Sequence, residues 1–214
     1  MISVCMATRN GEQYIEGQLA SILCQLGPHD ELVISDDSST DDTLGIIRSF
    51  ADDRIRLLEG NQFFSPIYNF ENSLKHAGGG IIALADQDDL WLDNKIETIK
   101  TNLPADQKRP ALIMMDGYII NGAGQRTGQT LFEHKPPKES LLANLYDNTF
   151  TGCSLAELIL LMATLQFRFL QLLFVACHLL LDLRLECRPL LRRVDRQRTQ
   201  FPAQRIFRFH RSKA

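Results

Sequence analysis

Apolar and polar positions alternate with two different periods along the first part of the chain. Ile2–Thr8 is a short apolar run, read as a first strand. Ile15, Leu19, Ile22, Leu23 and Leu26 then recur at helical spacing. Glu31–Ser35 is a second strand. Ser39–Asp42 reads as a capping box opening a helix whose buried face is Leu44, Ile47 and Phe50. Ile55–Leu58 is a third strand, and a helix over Tyr68–Ala77 is stopped by Gly78–Gly80. Ile81–Ala85 is a fourth strand. Asp93–Leu103 is a helix with Ile96, Ile99 and Leu103 inward, and Ala111–Met115 is a fifth strand. Tyr118–Gln125 begins a hairpin with Asn121-Gly122 at its turn. Strands alternating with helices of this length predict an α/β fold, an open and mainly parallel sheet flanked by helices.

Composition changes that picture at one place. Overall, 44% hydrophobic and 23% charged residues are ordinary for a globular protein and exclude collagen-like, coiled-coil and wholly disordered chains. The net charge of −3 hides a split. Residues 1–154 carry 12 Lys and Arg against 22 Asp and Glu, a net of −10. Residues 155–214 carry 11 against 4, a net of +7, with 15 Leu and no Gly. Two domains are therefore drawn, 1–154 and a Leu/Arg-rich tail over 155–214. The five cysteines are scattered and form no C-x-x-C pair, which argues against a disulfide framework or structural zinc and for a reducing cytoplasm. No basic segment precedes the first apolar run, so no signal peptide is read there.

In an open α/β sheet, ligands bind beyond the carboxyl ends of the strands, and the acidic residues fall there. The second strand ends in Asp36-Asp37, the fourth in Asp86-Gln87-Asp88-Asp89. Such runs repel themselves unless a cation or hydrogen-bond donors sit among them. A hard cation such as Mg²⁺ or Mn²⁺ takes one or two carboxylates plus phosphate oxygens, so one reading is a metal at the second cluster bridging a nucleoside diphosphate. The other is a solvated acidic loop capping the next helix.

Three segments carry a resemblance. Ser3–Glu12 (SVCMATRNGE), Val33–Thr43 (VISDDSSTDDT) and Ala83–Trp91 (ALADQDDLW) resemble the family-2 inverting glycosyltransferases of the GT-A fold. The last is most similar to bacterial rhamnosyltransferase-like members that build surface polysaccharide. The resemblance implies a nucleotide-sugar donor, a glycan or lipid-linked glycan acceptor and a divalent cation, Mg²⁺ or Mn²⁺. It implies that Thr8, Asn10 and Glu12 line the nucleotide and that Asp37 bonds the base with Asp36 beside it. Asp86 and Asp88 would form the DXD pair, Asp86 facing the ribose and the metal, Asp88 holding the metal, with Asp89 bracing the loop. Asn69–Glu71 and Gly78–Gly80 read as structural, and Trp91 as packing. Ser38 stands where the family has Gly, and a helix-capping role makes it harmless.

The family continues with an acceptor-side half and an Asp general base, which inverting transfer needs to take the acceptor's proton. After Ser154 no such motif is found; His178 and Asp182 have the wrong spacing, so the catalytic base is unassigned. His134 and Lys135–Lys138 read as a surface loop before a helix over Glu139–Tyr146. Three readings of the tail stay open. It is an out-of-frame translation, a membrane-attached segment, or an unfamiliar folded domain. Leu158–Leu181 is long enough to span a bilayer, but Arg168 within it would cost about 2.5–3.5 kcal/mol. An interfacial helix followed by basic Arg184–Arg211 at the inner face of a membrane suits the second reading better. The function expected is sugar transfer, of rhamnose by resemblance, in polysaccharide synthesis. Non-catalytic nucleotide binding and a membrane-associated adaptor are the alternatives. Nucleotidyl transfer is disfavoured by the lack of a Gly-rich phosphate loop with a basic residue, and no nucleic-acid partner is expected.

Overall fold

The computed structural model describes residues 1–103, 111–122, 124–134 and 136, with the backbone of Leu155–Leu158 and Arg205–Arg208. The described residues fall into two units, one of Met1–Ile113 with Leu155–Leu158 and 206–208, and one beginning at Met114. The helix expected over Glu139–Tyr146 and most of 155–214 lie outside the described residues.

The first unit runs β1 (Ile2–Thr8), α1 (Ile15–Leu23), β2 (Glu31–Asp36), α2 (Thr43–Ser49), β3 (Ile55–Leu58), α3 (Pro66–His76), β4 (Ile81–Asp86) and α4 (Lys95–Asn102). Each matches a predicted element to within a few residues. β1 pairs in parallel with β2 and β4, and β2 with β3. Ile2, Val4, Cys5 and Met6 have no exposure, which is why this strand reads as a continuous apolar run. The Cys5 thiol, buried among them, is pushed up to about 12 by desolvation and is an inert packing group.

After β5 (Ala111–Met114), the second unit holds a hairpin of β6 (Tyr118–Ile120) and β7 (Arg126–Thr130), followed by α5 (Leu131–His134). The hairpin turn closes through Asn121 and Gln125, and the Arg126 guanidinium lies 4.0 Å over the Tyr118 ring. Phe132 N–H and Gly117 N–H both donate to Asp116 Oδ1. His134 thus ends a short helix rather than lying in a loop.

With β8 (Leu155–Leu158) and β9 (Arg205–Arg208), the large sheet has the order β3-β2-β1-β4-β8-β5-β9. β8 runs antiparallel to β4, with Ile81 opposite Leu158 and Ala83 opposite Ala156. The sheet is therefore parallel through β3-β2-β1-β4 and turns mixed at β8, just past the 154/155 boundary drawn from composition.

Two local expectations give way. The capping box does not form, because α2 begins at Thr43 and its N-cap Asp42 makes no side-chain cap bond. Ser39 is drawn off instead to Asp36. The helix buries Thr43 and Ile47, while Leu44 and Phe50 are only half-buried. The glycines after α3 do more than end it. A Cβ on Gly79 would meet Ser3 N and Oγ at 2.7 Å, and Gly79 N–H donates to Ser3 Oγ at 2.7 Å. Only glycine allows this approach to β1.

At the amino ends of the strands Asp30 is the anchor. Its carboxylate accepts from Ile2 N–H (2.8 Å), Gly27 N–H (3.1 Å) and Lys100 Nζ (2.8 Å). Burial alone would raise its pKa, but Lys100 and the two N–H donors outweigh burial and hold it below the usual carboxylate value. The folded pKa is depressed, so this stabilisation is complete above the unfolded value of ~3.9 and drains as pH falls through the folded one. Asp30→Ala should cost about 2 kcal/mol in urea unfolding at neutral pH. The gap to wild type should narrow as pH falls below the unfolded value; a gap constant with pH would remove the charge from the account.

Ala51 follows α2 at φ 46°, where its N–H donates to Arg48 C=O. This left-handed position favours glycine. Ala51→Gly should raise stability by about 0.5–1 kcal/mol, less than the full strain of the left-handed conformation because glycine loses more chain entropy. An unchanged or lowered urea midpoint would show that the turn carries no strain.

Candidate functional site

From β1 the chain crosses to β2 and β3 on one side, then returns to β4 on the other. The carboxyl ends of β1, β2 and β4 therefore flank the point where strand order reverses. Thr8 is in register with Asp36, and Ala7 with Asp86. Both acidic clusters thus stand at this crevice, the place where open α/β sheets bind ligands.

The two acids at the carboxyl end of β2, Asp36 and the following Asp37, are interior groups, 1% and 2% exposed. Asp36 Oδ2 accepts from Thr8 Oγ1 (2.9 Å) and Ser39 Oγ (2.5 Å), and Oδ1 from Ser39 N–H (2.9 Å). Asp37 accepts from Phe63 N–H (2.6 Å) and Ser65 N–H (3.1 Å). Phe64 between them sits at φ 49°, 63% exposed, with the Arg9 guanidinium 4.9 Å over its ring. Hydrogen-bond donors answer the repulsion of this pair. Ser38 caps no helix. It lies at φ 60°, the left-handed conformation in which glycine is strain-free, and its hydroxyl donates to Asn61 C=O.

The loop after β1 is laced to the segment before α2. Asn10 N–H donates to Ser39 Oγ, and Asn10 Oδ1 accepts from Thr40 N–H at 2.8 Å. Gly11 N–H donates to Thr43 Oγ1 at 2.7 Å. Glu12 N–H donates to Asp41 Oδ2, and the Glu12 carboxylate accepts Asp42 N–H at 2.9 Å. Glu12 thereby satisfies a backbone N–H at the start of α2, as the local capping box was expected to do. Thr8 is 1% exposed, and its carbonyl accepts from Asn69 Nδ2 at 3.0 Å, a structural role for Asn69 as read from the sequence.

Beyond β4, one face of α1 carries the acidic loop. Gln18 is fully buried and its Nε2 donates to Asp86 C=O at 2.8 Å. Trp91 N–H donates to Ser21 Oγ (3.0 Å), and Ile96 N–H to Gln25 Oε1 (3.2 Å). Trp91 is 5% exposed, a packing residue, with Lys95 Nζ 4.2 Å over its ring. Asp86 and Asp89 are half-buried. Asp88 is exposed, and its carboxylate makes no hydrogen bond or ion pair with any described residue.

Sequence reasoning missed Gln18, Ser21, Gln25 and Gln87. Gln18 and Ser21 were visible as polar residues at i and i+3 beside the apolar stripe of α1, with Gln25 just past its end; Gln87 gave no signal of its own.

No three His, Cys, Asp or Glu side chains among the described residues gather into a closed metal site. The pair Asp86 and Asp88 at one strand end, with Asp88 open, instead suits a hard cation that takes its remaining oxygens from phosphate and water. The donor set fits a cation shared with a substrate.

The sequence profile described as glycosyl transferase family 2 matches residues 3–163, nine residues past the Ser154 at which the motif resemblance stops. The chain is 34% identical over 161 residues to the putative teichuronic acid biosynthesis glycosyltransferase TuaG of Bacillus subtilis, covering 72% of this chain and 60% of that one. It is 37% identical over 98 residues to the UDP-Glc:alpha-D-GlcNAc-diphosphoundecaprenol beta-1,3-glucosyltransferase WfgD of Escherichia coli, covering 45% and 38%. The matches thus span less than two thirds of these relatives. The crystal structure of S. aureus TarS 1-349 in complex with UDP-GlcNAc superposes with a TM-score of 0.55 over 72% of this chain and 44% of that one, at 21% identity, and shows the same fold.

The rail on α1 can be tested directly. Gln18→Leu leaves Asp86 C=O without its donor and should cost about 2 kcal/mol in urea unfolding. A loss below about 0.5 kcal/mol, the scale of an ordinary surface substitution, would mean the loop is held without it.

Proposed function

The chain belongs to glycosyl transferase family 2, and from that premise we propose that it transfers a sugar from a nucleoside diphosphate donor to a glycan hydroxyl, with inversion, in polysaccharide synthesis. The observation that carries the reading is the open carboxylate of Asp88 beside Asp86, at the reversal of strand order, in a site where Asp36 and Asp37 already have their donors. The donor nucleotide lies along Thr8, Asn10, Glu12, Asp36, Asp37 and Asp86. Asp36 and Asp37 are buried and bonded to the chain, so they act chiefly by fixing the Ser38–Ser65 walls of the crevice. Asp86 and Asp88, braced by Asp89, hold Mg²⁺ or Mn²⁺. The cation, when bound, offsets the charge that builds on the diphosphate as the glycosidic bond breaks.

The acceptor hydroxyl attacks the anomeric carbon from the side opposite the diphosphate, and a base takes its proton. No described residue is assigned as that base. The motif resemblance points to rhamnose, whereas WfgD is named for UDP-Glc, so the sugar is a hexose or deoxyhexose. The WfgD name also includes a lipid diphosphate acceptor, and a lipid-linked glycan suits this chain. None of the described helices is long and apolar enough to cross a membrane. The basic character of residues 155–214 supports peripheral contact with anionic lipid at the cytoplasmic face. We keep 1–154 as the donor-binding domain, with β8 inserted beside β4 in its sheet.

UDP-, dTDP- and GDP-sugars are offered with Mn²⁺ or Mg²⁺, and released nucleoside diphosphate is measured. Turnover should depend on the cation and fall at least about 100-fold in Asp88→Ala without change in Tm. Turnover unaffected by that substitution would sink the assignment of Asp88. Nucleotide binding without turnover would reduce the function to recognition.

A further inference from the structure

Gln87 stands between the two acids assigned to the cation, yet its side chain turns to the opposite wall of the crevice. Its Oε1 accepts Arg9 N–H at 2.9 Å and its Nε2 donates to Arg9 C=O at 3.1 Å. One amide thus holds both backbone groups of a residue 78 positions away. Gly11 is shaped around it, since a Cβ there would lie 2.6 Å from Gln87 Oε1. Gly11 C=O in turn accepts Tyr14 N–H and Ile15 N–H, the first bonds of α1, and α1 returns through Gln18 to Asp86 C=O. The chain of bonds closes on itself: Asp86, Gln87, Arg9, Gly11, α1, Gln18, Asp86.

We propose that Gln87 is a positioning residue that couples the loop carrying Asn10 and Glu12 to the loop carrying Asp86 and Asp88, so that nucleotide and divalent cation bind cooperatively. The inference rests on the donor reading above. The amide fixes Arg9 relative to Asp86, so a diphosphate settled against one loop finds the other already in place. Without the latch each loop must be ordered separately, and the cation's benefit to nucleotide binding is spent on that ordering.

The coupling is measured as the ratio of UDP (and dTDP) dissociation constants without and with MnCl₂, in full-length protein, with Tm followed in the same samples. Two variants break the latch from opposite sides. Gln87→Met keeps the length of the side chain and removes both hydrogen bonds. Gly11→Ala leaves Gln87 intact and pushes its amide off Arg9; the atom that must move is the end of a flexible side chain, so the fold survives. In each, the Mn²⁺ enhancement should fall by about fivefold or more, while Mn²⁺-free affinity changes less and the double variant adds little. Exchange of the Arg9 amide proton should speed up in both without any ligand. An enhancement retained in Gln87→Met overturns the inference and leaves the donor reading intact. Wild-type protein that binds UDP and dTDP equally with and without Mn²⁺ overturns the coupling. Failure of wild type to bind either nucleotide overturns the donor reading, and the inference with it.

Discussion

Two adjacent carboxylates cannot be taken out of water unless each finds hydrogen-bond donors. Asp36 and Asp37 impose that condition at the end of β2, and much of the crevice is arranged to meet it. Asp36 draws in Thr8 and Ser39, which fixes the end of β1 against the segment leading to α2. Asp37 takes the N–H groups of Phe63 and Ser65, which folds the loop before α3 around it and forces Phe64 into a left-handed turn. The strained backbone at Ser38 and Phe64 follows from satisfying these acids.

The second acidic loop is held by a different device. Here the side chains of α1 and the turn after it hold the backbone of the loop. Gln18 takes the carbonyl of Asp86, Ser21 the N–H of Trp91, and the Trp91 ring is buried below. Fixing the backbone and burying the tryptophan leaves Asp88 in solvent with no partner among the described residues. One cluster therefore builds the walls, and the other keeps Asp88 chemically available. This division is what makes a substrate-shared cation at Asp86 and Asp88 a reasonable reading of the site.

Much of the fold was legible beforehand because it rests on periodicity. Strands covered on both faces must be apolar throughout, so β1, β2 and β4 announce themselves, and the stripe Ile15, Leu19, Ile22 does the same for α1. The capping box failed because Ser39 has a stronger claim on it, the buried Asp36, than the local N–H groups of α2. The antiparallel β8 in a parallel sheet was hidden for a similar reason, since pairing with β4 joins segments more than 70 residues apart.

The sequence by itself determined where the acids would lie, since the ends of apolar runs are the ends of strands and parallel strands gather those ends on one edge. It also carried the family, through three short segments in order. Only the tertiary structure decided which acids are walls and which is open, because that depends on donors such as Thr8, Phe63 and Ser65, brought from 26 to 28 residues away. A glutamine on a helix or between two aspartates looks like any solvated side chain until the fold sets a backbone carbonyl or N–H against it. Hydrophobic pattern is a local record of burial, and hydrogen-bond partnership is not.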